Sequence, residues 1–201
     1  MKLGRSHYYT SARRRSLYSL ISDFIRGVTV EFEVAAGVFS CDEVDKGTKL
    51  LLEYAEIPEE GVVLDVGCGY GVIGIVLAKV NPKLRVYMVD INREAVKLAK
   101  RNIKRNGVED RVVVLYGDLY EPVKGILFDA IYSNPPLAAG MDVVKRIIIE
   151  APQHLKEGGT LQVVVRKGAE TVRKTMEQTF GNVKQLVSKW GYKVFLSRKL
   201  G

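Results

Sequence analysis

Residues Val62 to Gly71 (Val-Val-Leu-Asp-Val-Gly-Cys-Gly-Tyr-Gly) constrain this chain more than any other stretch. An apolar run short enough for a buried strand carries Asp65 near its end. It then breaks into a loop with glycine at every second position, and apolar residues at helical spacing (Val72, Ile73, Val76, Leu77, Val80) follow. Glycines at a strand-to-helix turn let the backbone approach a ligand closely and tolerate positive φ. A carboxylate beside such a loop suits a ligand bearing an ammonium group and repels a pyrophosphate. That favours S-adenosylmethionine over a dinucleotide. A competing pattern is present, because Gly69, Gly71 and Gly74 spell G-x-G-x-x-G and Asp90 follows at about the distance of a ribose-binding acid. The match is weak by itself, and the residues that decide lie downstream at Asn134-Pro135-Pro136.

From about Gly61 onward, strand-like and helix-like patterns alternate. Val62–Val66, Leu84–Val89, Val112–Tyr116, Phe128–Ser133 and Thr160–Val165 read as buried strands. Tyr70–Val80, Asn92–Asn106, Met141–Leu155 and Ala169–Phe180 read as helices, with Asn92 a good N-cap and Asn106-Gly107 a good stop. Glu157-Gly158-Gly159 reads as a tight turn. The final stretch, Val183–Leu200, reads as a hairpin around Gly191. The alternation implies an α/β fold: a doubly wound, mostly parallel, Rossmann-like sheet with an antiparallel hairpin on one edge. Before Gly61 the chemistry differs. Val28–Val34 alternates like a half-exposed strand, Gly37-Val38-Phe39-Ser40 turns the chain, and Asp45–Ala55 has a helical pattern. Residues 1–60 are thus expected to form an extension or lid on a catalytic sheet spanning residues 61–201, in one structural domain overall.

Charge adds a partner. Lysine and arginine number 31 against 23 acids, a formal excess of +8. Such an excess points to nucleic acid, with a charged surface for solubility as the plainer account. Arg13, Arg14 and Arg15 stand near Tyr8, Tyr9 and Tyr18, a mixture suited to phosphates and bases. A helix with a solvated basic face fits the same residues. A second basic cluster contains Lys193, Arg198 and Lys199. No apolar run approaches the ~20 residues of a membrane span, and the N-terminus lacks a signal-peptide core. Cys41 and Cys68 have neither zinc-ligand nor disulfide-framework spacing, so no metal is expected and a reducing cytoplasm is the default.

Four polar residues fall at successive strand ends, where ligands sit in a doubly wound sheet: Asp65, Asp90, Asp118 and Asn134. Asp90 can accept both hydroxyls of a ribose. Asp118 can accept from an adenine amino group while Leu119 and Ile91 cover the ring's two faces. Gly67, Cys68 and Gly69 form the floor under the methionine portion, with Cys68 a small loop residue and no nucleophile. Asn134-Pro135-Pro136 indicates the reaction class. An amine on an aromatic ring has its lone pair delocalised into the ring. Two rigid acceptors, the Asn134 side-chain oxygen and the Pro135 carbonyl, can take its two hydrogens and turn the lone pair toward a methyl donor. Pro136 stiffens the turn.

At this point the chain resembles a known family. Asp65-Val66-Gly67-Cys68-Gly69-Tyr70-Gly71, Asp90-Ile91-Asn92, Gly117-Asp118-Leu119-Tyr120 and Asn134-Pro135-Pro136 look like the donor-binding motifs of class I S-adenosylmethionine-dependent methyltransferases. With Gly37-Val38-Phe39-Ser40 and Asp45-Lys46-Gly47-Thr48 ahead of them, the pattern is similar to the small-subunit ribosomal RNA guanine-N2 methyltransferases and their compact single-domain archaeal relatives. The resemblance implies a seven-stranded sheet, a donor site that includes Asn92, and RNA as substrate. It also implies that Phe39, Ser40, Lys46 and Thr48 line the site near the incoming base. Members acting on flipped bases usually carry an aromatic after Asn-Pro-Pro; here the position is Leu137, with Phe39 an alternative stacking partner. Adenine N6 and cytosine N4 pose the same chemistry. So does a protein glutamine, and a SAM-binding RNA chaperone without turnover is the alternative of another class.

Overall fold

Nine strands and five α-helices occur among the described residues, which are 18–35, 43–135 and 140–201 of the computed structural model. Strands β1 (Tyr18–Ile25) and β2 (Val28–Ala35) form a separate antiparallel hairpin. Helix α1 (Lys46–Tyr54) leads into the main sheet, built from β3 (Gly61–Val66), β4 (Leu84–Asp90), β5 (Val112–Tyr116), β6 (Phe128–Ser133), β7 (Leu155–Val165), β8 (Lys184–Lys189) and β9 (Tyr192–Arg198). Its order is β5-β4-β3-β6-β7-β9-β8. Pairing is parallel from β5 to β7 and antiparallel from β7 through β9 to β8. The expected seven-stranded, doubly wound sheet with an antiparallel C-terminal hairpin is therefore present.

The strands alternate their side chains between two covered faces, and so read as nearly continuous apolar runs. Val63, Val86, Met88, Ala130 and Tyr132 face α1, α2 (Val72–Val80) and α3 (Arg93–Arg105). Leu64, Val66, Val89 and Ile131 face α4 (Met141–Glu150) and α5 (Ala169–Phe180). Helix α3 shows how the sequence specifies such packing. Val96, Leu98, Ala99 and Ile103 make a buried stripe, and the Asn92 side chain accepts from the Glu94 amide at 2.9 Å, so the predicted N-cap forms. The chain leaves β3 toward β4 on one side and pairs with β6 on the other. The reversal opens a crevice at the carboxyl ends of β3 and β6.

Four elements depart from the sequence reading. The helix expected from Tyr70 begins at Val72, because Gly71 takes a left-handed conformation as its cap. The helix expected to run from Met141 to Leu155 ends at Glu150. Pro152 has no N–H to continue it, and a short 3-10 turn over Ala151–His154 follows. Glu157-Gly158-Gly159 lies within β7, where a register shift opposite Phe128 absorbs the extra residues. The fourth is β1, which the mixture of tyrosines and basic residues over 7–26 did not reveal as a strand.

Candidate active site

The glycine loop after β3 is folded by its own backbone and by Asp90. The Gly67 and Cys68 amides donate to the Val89 carbonyl at 2.9 and 3.0 Å, and the Gly69 amide donates to Asp90 Oδ2 at 2.8 Å. Gly69 sits at φ +56 with open space where a Cβ would point, so the loop presents bare backbone. Gly74 serves packing, since a Cβ there would collide with Met88. Asp90 Oδ1 also accepts from the Asn92 amide at 2.8 Å. The carboxylate is thus fixed by two backbone donors, and each oxygen keeps a lone pair for a ligand hydroxyl. Ile91 is exposed next to it, as a residue that covers a ligand face would be in the free protein.

Asp65 lies beneath the loop and is fully buried. Its Oδ2 accepts from the Gly74 amide at 3.1 Å, whereas Oδ1 has no hydrogen-bond partner among the described residues. Burial, with Asp90 adding repulsion, pushes its carboxyl up to about 7. An orphaned carboxylate oxygen at this place fits a cationic group above the loop, reached directly or through a bridging water, and does not fit a pyrophosphate. Cys68 is buried, and that burial, with Asp65 and Asp90 nearby, pushes its thiol up and disfavours the thiolate.

Past β5, Asp118 is engaged on one oxygen by Arg146 of α4 at 3.0 Å, a partner the sequence did not suggest. Leu119 is buried with φ +46, an unusual backbone for leucine. Past β6, Asn134 is pinned by its amide nitrogen. Nδ2 donates to Asp45 Oδ2 at 3.0 Å and to Thr48 Oγ1 at 2.8 Å. Asp45 is at the same time the N-cap of α1, accepting from the Thr48 amide at 2.8 Å, and it receives a hydrogen bond of 3.4 Å from the Tyr192 hydroxyl of β9. Gly47 permits that approach, because a Cβ there would strike the Tyr192 ring. Thr48 is thus brought against Asn134, and Lys46 stands exposed at the start of α1. Pro135 is buried behind Asn134. Asp45 and Tyr192 were not singled out by sequence reasoning, although Asp45 opens the Asp-Lys-Gly-Thr segment. Arg13, Arg14, Arg15, Phe39, Ser40, Pro136 and Leu137 lie outside the described residues.

A recess of about 400 Å³ opens at the opposite end of the sheet, lined by Glu56, Asp129, Thr160 and Arg198 among others. It sits at the amino ends of the parallel strands, away from the crevice, and is a separate feature of the surface.

A parallel doubly wound sheet with an acid-and-glycine loop at its switch point and Asn-Pro after the next strand defines a class I methyltransferase fold. The chain belongs to the methyltransferase small domain family, whose model matches residues 29–196. It is 37% identical over 199 residues to the uncharacterized protein YbxB of Bacillus subtilis, covering 96% of this chain and 98% of that one. It is 38% identical over 167 residues to ribosomal RNA small subunit methyltransferase C of Aeromonas hydrophila, covering 81% of this chain and 47% of the relative. Against a solved T. thermophilus 16S rRNA N2 methyltransferase (RsmC), in complex with AdoMet and guanosine, the TM-score is 0.81 at 28% identity, covering 92% of this chain and 51% of that one. The chain thus spans about half the length of the ribosomal RNA methyltransferases it matches, and nearly all of YbxB.

Proposed function

We propose that this chain transfers a methyl group from S-adenosylmethionine to an exocyclic amine of a base in RNA, with guanine N2 of ribosomal RNA as the leading target. The observation that carries this reading is the fixed orientation of Asn134. With Nδ2 committed to Asp45 and Thr48, the oxygen Oδ1 is the atom left to accept. An acceptor held rigidly at the carboxyl end of β6 is what an aromatic amine needs: Oδ1 and the Pro135 carbonyl take its two hydrogens, and its lone pair is released from the ring. The donor supplies an electrophilic methyl group, so positioning and electrostatics suffice and no base of tuned pKa is required. Asp90 and Asp118 hold the adenosine, Ile91 and Leu119 pack on its base, Asn92 fixes Asp90, and Gly67 to Gly69 over Asp65 hold the methionine end.

The solved relative described with AdoMet and guanosine supports both ligand classes. Residues 1–60 act as a cover on a catalytic unit of residues 61–201: β2 is tied to α3 through Glu33 and Asn102, and α1 carries Thr48 to Asn134. Among the described residues no helix is long and apolar enough to cross a membrane, and a ribosomal substrate places the reaction in the cytoplasm. The base must be unpaired or flipped to reach Asn134.

The experiment is methyl transfer from labelled S-adenosylmethionine to ribosomal RNA of a strain lacking the gene, followed by nucleoside mass spectrometry. N2-methylguanosine is expected. N6-methyladenosine or N4-methylcytidine would move the target base, label in a protein glutamine would replace RNA as substrate, and donor binding without product would leave a binding protein.

A further inference from the structure

The two-residue turn Trp190-Gly191 joins β8 to β9 and stands at the same end of the sheet as Asn134. β9 runs antiparallel to β7, and Val165, the last residue of β7, pairs with Lys193. The turn therefore projects beyond the carboxyl ends of the parallel strands. Tyr192, just after it, reaches Asp45, whose carboxylate holds Asn134.

Trp190 breaks the local rule for such a turn. Trp190 and Gly191 have φ of 54 and 80, the pair of left-handed residues that a tight hairpin favours and that Asn-Gly or Gly-Gly satisfies without strain. The described residues contain three non-glycine positions at positive φ: Arg26, Leu119 and Trp190. Arg26 is compensated, because its guanidinium caps the end of α1 through the Leu52 and Ala55 carbonyls at 2.6 and 2.9 Å. Leu119 is compensated by burial at the end of the donor crevice. Trp190 is 57% exposed, with Lys189 Nζ lying 4.4 Å from its ring centroid. A strained, exposed tryptophan contributes little to the folded chain alone, and backbone outliers of this kind concentrate at functional positions.

Cations predominate around it, with Asp45 and Glu170 among the nearby acids. Lys189, Lys193, Arg166 and Lys167 are all exposed, and none forms an ion pair among the described residues. Arg166 lies over the Tyr192 ring at 5.6 Å. The nearby carboxylate of Glu170 is taken by Arg173 at 3.0 Å. Lysines on an edge strand blunt sheet-to-sheet pairing, which accounts for Lys184 and Lys189 on β8. It does not account for Arg166, Lys167 and Lys193, nor for the tryptophan.

We propose that this turn docks the RNA substrate: Trp190 stacks on a base flanking the target nucleotide, and Lys189, Lys193, Arg166 and Lys167 take the adjacent phosphates. Interleaved aromatic and cationic side chains are how exposed strands are held. The proposal rests on the RNA reading above and names where that substrate enters.

Trp190 is the one tryptophan of the chain, so its fluorescence reports on the site directly. The probe is a guanine-containing RNA hairpin that the wild-type chain methylates. Titration is expected to quench the fluorescence. Trp190→Asn suits the turn, so its thermal midpoint should not fall and S-adenosylhomocysteine affinity should hold, while KM for the hairpin rises about tenfold, the loss of one stacked base. Changing Lys189 and Lys193 to alanine should reduce the log–log salt slope of binding by about 1.4. Changing Lys100 and Lys104 of α3 to alanine removes equal charge and should leave the slope as it was. If the hairpin is methylated while fluorescence, KM and slope are unmoved, the docking site is wrong and the RNA reading stands. If the wild-type chain neither binds nor methylates any RNA offered, the functional reading fails and the docking site with it. Quenching by an acidic peptide and not by the hairpin also overturns it.

Discussion

Asn134 depends on neighbours far away in the chain. Its strand end is legible in the sequence, because Asn-Pro-Pro follows an apolar run. The hydrogen bonds that orient it are not, since Asp45 and Thr48 lie almost ninety residues earlier and meet it only when α1 docks against the sheet. Asn134→Ala is expected to lower kcat steeply with donor affinity within a few-fold, because in the proposed reaction its oxygen acts on the amine in the transition state. Thr48→Val keeps the shape and removes one acceptor that holds the amide. A loss of about 1 kcal/mol, roughly fivefold in kcat, is expected; single-turnover rates on methylatable RNA check both. Asp65 makes a pH prediction. Its folded value of about 7 exceeds the ordinary 3.8, so the folded donor-free chain binds this proton more tightly than the unfolded one. The associated stability is fully present below about pH 4 and is lost as pH rises to about 7, by a few kcal/mol at most. Asp65→Asn should flatten that decline in denaturation midpoints. In the wild type, a cationic donor favours the ionised form, so donor affinity measured by calorimetry should rise with pH up to about 7 and show proton release.

At the scale of elements, Asn102 joins three that the sequence presents separately. It is fully buried in α3; its Oδ1 accepts from the Glu33 amide at 2.7 Å, and Nδ2 donates to the Glu33 carbonyl at 3.0 Å and the Tyr70 carbonyl at 2.9 Å. Arg101 and Arg105 add ion pairs to Glu33 on the surface, and Phe32 meets the Tyr70 ring edge to face at 5.5 Å. Asn102→Ala would strand buried groups of the hairpin and the glycine loop together. A loss of about 3 kcal/mol in chemical denaturation is expected, with weaker donor binding because Tyr70 belongs to the loop. Asn102 is unreadable in advance: a lone asparagine in a helical pattern looks like surface. β1 was missed for a related reason. Its outward residues include Leu20 and Phe24, exposed apolar side chains that blur the alternation on which a strand is recognised. The end of α4 was legible in principle, because Pro152 stood inside the expected helix.

For the whole molecule, anything that binds the folded chain stabilises it by mass action. S-adenosylhomocysteine at about a hundred times its Kd should add ~2.7 kcal/mol, and NAD at the same concentration should add nothing measurable by thermal denaturation. An NAD shift without an S-adenosylhomocysteine shift would restore the dinucleotide alternative. The fold class, the alternation of strands and helices from β3 onward, and the polar residues at strand ends were all determined by the sequence itself. They are local properties: periodicity, glycine spacing and the residue that closes each apolar run. The tertiary structure alone decided which partners complete those residues. Asp65 could have lined the crevice and instead lies beneath its loop, Asp118 acquires Arg146, and Asn134 acquires Asp45, Thr48 and, through Asp45, Tyr192. The physical reason is range. Backbone preference and side-chain period act over a few residues, whereas the direction of a hydrogen bond and the cost of burying a charge are set by groups that the packed sheet brings together from distant parts of the chain.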